Sequence, residues 1–320
     1  MKIKLINVER VVGNIPETVK EQILREREER FNDQDFETLK DKEREKTPEE
    51  IEIIGLVNGI TNEIRKKYGL EEFNIPPDNI HVIEQDKWIK DRRVKESYNA
   101  VFDSIFQAVV MREQPARIIF AKKVLHEMIH FKSYGAWQVT KGEKPELDMY
   151  RIGLAVYTRD GEKGYFKNLN EALTEEITKR FSAELFSNQI FAREQKQTEE
   201  IMSEYPDTAT ESGEPLFDED TFYAEAIDRQ NDRIKIETDK FGFAEERKLL
   251  NVLIDKLFER NQENFQNREE VFEMFARRMM TGNTPPLGEL IDKTFGRKTF
   301  KKIGELDQDT KAQEEFINSL

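Results

Sequence analysis

Two histidines and a glutamate stand close together in this chain, in the order His126-Glu127-Met128-Ile129-His130. Residues four apart on a helix lie on one face, one turn from each other. The two imidazoles can therefore bind one metal ion from the same side, with Glu127 next to the first of them. Imidazole nitrogen is a common ligand of Zn²⁺, and an adjacent carboxylate can act as a general base. The spacing predicts a zinc site with a base beside it.

A second group of carboxylates begins 41 residues after His130. Residues 168–181 have helical periodicity, and within them Glu171 and Glu175 are four apart and share a face. The chain has three histidines and no cysteine, and no histidine follows His130. A carboxylate must therefore complete the set of protein ligands. The third histidine, His81, lies in a predicted strand over 80–84, where a structural role is favoured over metal binding.

Together the two segments resemble the thermolysin-like gluzincins, zincin metallopeptidases that combine HExxH with a downstream NExxSD pattern. Asn170-Glu171 and Thr174-Glu175 stand in the matching order. The resemblance implies that Glu171 is the third zinc ligand, that Thr174 takes the serine position, and that Glu175 orients His126. The chain departs from the pattern in its gap between ligands, which is longer than in thermolysin, and in Glu instead of Asp at 175.

The resemblance also implies the chemistry, which is peptide-bond hydrolysis through a zinc-bound water activated by Glu127. The metzincins fit less well, because Ser133 and Ala136 stand where that family requires Gly and His. Thermolysin-like enzymes stabilise the oxyanion with a histidine and a tyrosine. Since no histidine follows His130, a tyrosine or an arginine must serve, and the candidates are Tyr150, Tyr157, Tyr165, Tyr223 and Arg247.

Composition excludes several other classes of protein. The 320 residues include 51 Lys and Arg against 65 Asp and Glu, and the net charge of −14 argues against nonspecific binding to nucleic acid or to an anionic membrane surface. The absence of cysteine excludes disulfides and thiolate zinc sites. No stretch approaches the roughly 20 apolar residues of a membrane span, and no signal peptide is seen. We therefore expect a cytoplasmic protein, and the resemblance implies that its partner is a peptide or protein substrate.

Apolar and turn-forming residues divide the chain into four predicted segments. Residues 1–46 form a charged N-terminal arm that starts with a short strand over 3–12; its thin apolar stripe favours solvated helices over a docking segment. Residues 47–202 form a zincin-like catalytic domain, 203–220 an acidic loop or linker, and 221–320 a helical C-terminal lobe. The predicted fold class is α+β, with a lobe resembling the helical one that closes the cleft in thermolysin-like enzymes.

Local signals predict where several elements begin and end. A capping box at Thr47-Pro48-Glu49-Glu50 starts a helix that ends near 67–69. Residues 97–111 favour strands, one of which the resemblance places along the cleft, although a helix through 100–111 competes. Alternation over 150–158 and the turn at 160–164 predict a β-hairpin. Beyond 220 the pattern predicts helices alone, with the following boundary residues: Asn267, Gly282, Thr284 and Gly296.

Two other hypotheses remain beside the metallopeptidase. One is a catalytically silent protein with a zincin fold that binds zinc for regulation or interaction, and the other is a helical structural protein without metal. Glu127 favours the enzyme, because a purely structural zinc site needs no general base. The missing oxyanion histidine favours the silent protein. Metal analysis separates the structural protein from both of the others.

Overall fold

The computed structural model describes residues 8–31, 42–88, 99–105, 107–140, 147–210, 212–230, 233–306 and 310–320. These residues form a mixed α+β fold in which helices predominate and the strands make several small sheets. The predicted α+β class is confirmed at that level. No helix in the described ranges is long and apolar enough to cross a membrane.

The helices are named here in chain order. They are α1 (Glu17–Phe31), α2 (Pro48–Lys67), α3 (Gln85–Trp88), α4 (Arg117–Lys132), α5 (Lys167–Phe186), α6 (Ala192–Glu204), α7 (Ala244–Arg260), α8 (Arg268–Thr281), α9 (Pro285–Phe295), α10 (Thr299–Glu305) and α11 (Thr310–Ser319). The strands are β1 (Val8–Val12), β2 (Ile80–Ile83), β3 (Ala100–Asp103), β4 (Ala108–Arg112), β5 (Gly135–Val139), β6 (Leu147–Ile152), β7 (Ala155–Tyr157), β8 (Gly164–Tyr165), β9 (Thr221–Gln230) and β10 (Arg233–Lys240).

Helix α4 is the buried centre of the fold. Helices α2 and α5 pack against it, and strands β3 and β4 cover another side. Its apolar residues point in several directions, and Phe120, Val124 and Leu125 are all buried. A helix that is apolar on most faces gains its stability from burial rather than from its own propensity. Helix α2 is held separately at its start, where Thr47 and Glu50 form the predicted capping box.

A three-stranded sheet with the order β2-β4-β3 lies beside α4. Strand β4 pairs in parallel with β2 and antiparallel with β3, so β3 is an edge strand among the described residues. The strands predicted within 97–111 are therefore confirmed over residues 100–103 and 108–112, and the competing helix through 100–111 is wrong. Residues 97 and 98 lie outside the described part of the chain.

The second sheet has the order β1-β5-β6-β7-β8. Strand β1 pairs in parallel with β5, which confirms the N-terminal strand over residues 8–12; residues 3–7 lie outside the described ranges. The predicted hairpin between α4 and α5 is present, but 150–158 is not one continuous strand. Gly153, with a φ of +54°, turns the chain between β6 and β7. A turn at this position needs the left-handed conformation that glycine adopts readily.

The C-terminal part contains an antiparallel hairpin, β9–β10, in addition to helices. The expectation of helices alone beyond residue 220 is therefore wrong for 221–240. The signal was present in the alternation of Ile234 and Ile236 with polar residues, which is the period of a strand. The predicted helices follow the hairpin: Asn267 caps α8, Gly282 ends it, and Gly296 ends α9.

Candidate metal centre

Helices α4 and α5 bring two histidines and a glutamate from distant parts of the chain together. Nε2 of His130 lies 3.2 Å from Nε2 of His126 and 3.2 Å from Oε2 of Glu171. Nε2 of His126 lies 3.4 Å from the same glutamate oxygen. The three donor atoms therefore form a nearly equilateral triangle whose open side can receive an ion.

The separations between the three donor atoms can be compared with those around a tetrahedral zinc ion. Tetrahedral zinc bonds nitrogen and oxygen at about 2.0–2.1 Å, which places neighbouring donor atoms roughly 3.3 Å apart. The observed separations of 3.2–3.4 Å match that value. Two imidazole nitrogens and one carboxylate oxygen are also a donor set that zinc accepts, with one coordination position left over. The three residues can therefore hold a metal ion, and the spacing of their donor atoms is compatible with zinc.

Glu175 lies behind His126, on the side away from the donor triangle. Its Oε2 is 2.6 Å from Nδ1 of His126, and its side chain is 0% exposed. Oε1 of the same carboxylate accepts from Nζ of Lys122 at 2.6 Å and from the backbone N–H of Gly242 at 2.5 Å. A carboxylate on Nδ1 holds a proton at that nitrogen, so Nε2 is the nitrogen that a metal would bind in place of a proton.

Burial and neighbouring charges have opposite effects on the pKa values of His126 and Glu175. Burial alone disfavours the charged imidazole, but the carboxylates of Glu171 and Glu175 outweigh it and raise the pKa of His126 to about 9. Burial likewise opposes ionisation of Glu175, but His126 and Lys122 hold the pKa of that carboxyl well below its usual range. The centre is therefore built around an ionised carboxylate that three donors share.

Two polar residues of α5 lie near the other nitrogen of His130. Nδ1 of His130 is 3.5 Å from Oγ1 of Thr174 and 3.4 Å from Nδ2 of Asn170. The Thr174 hydroxyl donates to the backbone carbonyl of Asn170 at 2.8 Å, so its lone pairs are left to face the imidazole. Oδ1 of Asn170 accepts from the backbone N–H of Leu154 at 2.8 Å. The turn after β6 thus fixes the residues that contact His130.

The three residues of the donor triangle line a cleft of about 1080 Å³. Ala100–Phe102 of strand β3, Gly242 and Phe243 also line it. Phe243 also stacks on His126, with the two ring centroids 5.8 Å apart. Glu127 lines the same cleft and is 8% exposed, but it does not belong to the donor triangle. It is therefore available to contact a bound molecule.

Comparison of this chain with protein-family models, with curated proteins and with solved structures finds no match.

Of the five oxyanion candidates, Tyr157 is the one that lines the cleft. Tyr223 is buried and donates to Glu225 at 2.9 Å, and Arg247 is buried with its guanidinium on Glu176 and Asp220. Both side chains are thus occupied within the fold. Tyr150 and Tyr165 do not line the cleft.

Sequence reasoning missed Lys122, Gly242 and Phe243. Lys122 stands four residues before His126, a spacing that places both on one face of α4, so its proximity was open to inference. The contact from Gly242 comes from a backbone N–H and has no side-chain signal. His81 is placed away from the centre, on β2, where its Nδ1 lies 2.6 Å from Oε2 of Glu43.

Proposed function

We propose that this protein is a zinc-dependent metallopeptidase of the gluzincin type. The observation that carries the proposal is the donor triangle of His126, His130 and Glu171, with sides of 3.2–3.4 Å, in a cleft that Glu127 also lines. His126, His130 and Glu171 hold the metal. The cleft volume of about 1080 Å³ suits a peptide segment rather than a single small molecule.

When bound, zinc lowers the pKa of a coordinated water and polarises a carbonyl oxygen. Glu127 accepts the proton of the attacking water and returns it to the leaving amine. Glu175 keeps the proton of His126 on Nδ1, and the hydroxyl oxygen of Thr174 accepts from Nδ1 of His130 with the same effect. Tyr157 is the candidate donor to the developing oxyanion, because it lines the cleft.

The edge strand β3 supports a peptide substrate in particular. Within the described chain its partner is β4 on one side, and residues Ala100–Phe102 line the cleft. An extended peptide binds such an edge by adding a strand, with main-chain hydrogen bonds that do not depend on sequence. This arrangement favours hydrolysis of extended segments over hydrolysis of folded surfaces.

The alternative is a catalytically silent zinc-binding protein for regulation or interaction. It is favoured by one observation: the oxyanion candidate in the cleft is a single tyrosine, Tyr157, and no third histidine lines the cleft. Retention of Glu127 beside the donor triangle favours the enzyme. Both functions predict that the protein binds zinc, and they differ in whether it hydrolyses peptides.

Metal analysis and peptide digestion test the proposal together. We expect about one zinc per chain, lost in His126→Ala and His130→Ala and retained in the control His81→Asn, which removes a histidine elsewhere in the fold. Glu127→Gln should keep the zinc and reduce peptide hydrolysis at least about 10²-fold. Zinc retention in the double variant of His126 and His130 would contradict the metal site. Zinc without cleavage in a broad peptide digest would favour the silent protein.

A further inference from the structure

The first turn of helix α5 contributes to the lining of the cleft. Lys167 and Asn168 line it, and Glu171 of the donor triangle follows one turn later on the same helix. The N-cap residue, Phe166, supplies no side-chain hydrogen bond. Among the described residues, none accepts from the backbone N–H groups of Lys167, Asn168 or Leu169. A 20-residue helix thus presents its positive dipole end and three free donors at this point.

Asn168 adds an independent sign of a missing ligand. Asn168 is 6% exposed, and its Nδ2 has no hydrogen-bond acceptor in the described part of the chain. A buried amide without a partner costs free energy, so such groups occur where an unrecorded water, ion or ligand completes them. Asn170, two residues later, shows the contrast: its Oδ1 accepts from the backbone N–H of Leu154, and its Nδ2 lies 3.4 Å from Nδ1 of His130.

Lys167 places a positive charge beside these donors. It is exposed, and within the described residues its ammonium forms no ion pair, although Glu171 stands four positions further along the helix. Its methylene stem crosses Gly164 closely: a Cβ added at Gly164 would lie 2.8 Å from Cδ of Lys167. The stem therefore lies against strand β8, and the side chain contributes to the lining of the cleft.

Free backbone donors, an unpaired amide, a helix dipole and an ammonium all select an anion. The anion would lie one helical turn, about 5.4 Å, from the metal ligand Glu171, and one extended residue of a peptide spans about 3.3–3.6 Å. We propose that the first turn of α5 binds a carboxylate of the peptide substrate next to the scissile bond. The carboxylate is either the chain terminus or an acidic side chain. This inference rests on the proposed function, which makes the occupant of the cleft a peptide.

Matched peptides separate the two carboxylate sources. The probes are decapeptide mixtures with free or amidated C-termini, each made with Glu and Asp or with Gln and Asn in their place. Cleavage is mapped by mass spectrometry, and binding to zinc-loaded Glu127→Gln is measured by fluorescence anisotropy. Preference for free termini, with release of single C-terminal residues, identifies a carboxypeptidase. Preference for an acidic residue beside the cleaved bond identifies side-chain recognition. Equal binding of acid and amide forms in both comparisons would overturn the inference.

Variants that add negative charge test the location. Lys167→Glu and Asn168→Asp place acids in the first turn of a helix, where the helix dipole favours negative charge; unchanged zinc content shows that each variant is folded. Each should weaken binding of the preferred carboxylate peptide at least about 10-fold, the scale of one charge-assisted hydrogen bond, with zinc content unchanged. Lys163→Glu is the control, because Lys163 stands over Tyr165 and does not line the cleft. A carboxylate preference that survives both variants, for example through direct contact with zinc, would place the anion elsewhere.

The outcomes also separate this inference from the proposed function. Cleavage without any carboxylate preference leaves the metallopeptidase standing and removes the anion site. The protein could instead cleave no peptide but bind carboxylate peptides preferentially, with that preference abolished by Lys167→Glu. This outcome would support the anion site and exclude the hydrolase.

Discussion

The backbone N–H of Gly242 donates a hydrogen bond of 2.5 Å to Oε1 of Glu175. Oε2 of the same carboxylate lies 2.6 Å from Nδ1 of His126. Gly242 stands between the hairpin β9–β10 and helix α7, more than 60 residues beyond Glu175. One buried carboxylate therefore joins the C-terminal part of the chain to a histidine of the candidate metal centre.

This arrangement predicts an order of effects for the two α5 carboxylates. Glu175→Ala should weaken zinc binding by about 10- to 100-fold, the usual loss for a group that orients a ligand. Glu171→Ala should weaken it more, because it removes a donor atom of the triangle. Competition with a chromogenic chelator measures both affinities. The opposite order would identify Glu175 as the metal ligand.

Replacing Gly153 should destabilise the fold through Asn170. Gly153 has a φ of +54°, and an added Cβ would overlap Oδ1 of Asn170. We expect Gly153→Ala to lower the free energy of unfolding by at least about 2 kcal/mol, from backbone strain and the displaced amide. The control is Gly59→Ala in α2, where an added Cβ meets nothing within 4 Å. It should raise stability by about 0.5–1 kcal/mol. Urea denaturation measures both, and equal effects would contradict this explanation.

His81 should make stability fall in mild acid. Burial lowers its pKa below the ordinary 6.5, against the contrary effect of Glu43. The unfolded chain therefore takes up the proton first as the pH falls. Stability from the neutral imidazole is present above about pH 6.5 and is lost towards the lowered folded pKa, at up to about 1.4 kcal/mol per pH unit.

The measurement compares wild type with His81→Asn, both without metal. Asn retains a donor towards Glu43 and does not titrate. Denaturation at pH 7.5, 6.5 and 5.5 should show a steeper loss of stability in the wild type. Parallel pH profiles would exclude His81 as the source.

Limited proteolysis should cut first between α6 and β9. The predicted linker over 203–220 contains turns and one isolated bridge, Ala209–Pro215, and most of its residues from 206 to 214 are exposed. Such segments are preferred sites of nicking. Mass spectrometry of early fragments tests the predicted domain division, and first cuts within α7 or α8 would place the boundary elsewhere.

Local patterns in the sequence were enough for the features that depend on neighbours along the chain. The face shared by His126 and His130 follows from the helical repeat, and the start of α8 follows from Asn267 followed by Glu270. The strand alternation at 234–236 carried the same kind of information and was missed. These features need no knowledge of the rest of the fold, because helix geometry and caps involve residues within a few positions of one another.

Tertiary packing decided everything that joins distant segments. The 3.2 Å between His130 and Glu171 depends on how α5 packs against α4, after a hairpin whose turn requires Gly153. The bond from Gly242 to Glu175 uses a backbone donor, which every residue except proline possesses, so no residue type announces it. Whether the backbone donors at the start of α5 find partners depends on what surrounds that end of the helix in the fold. Composition and spacing determined which groups were available for chemistry, and only the packing of helices and hairpins decided which of them meet.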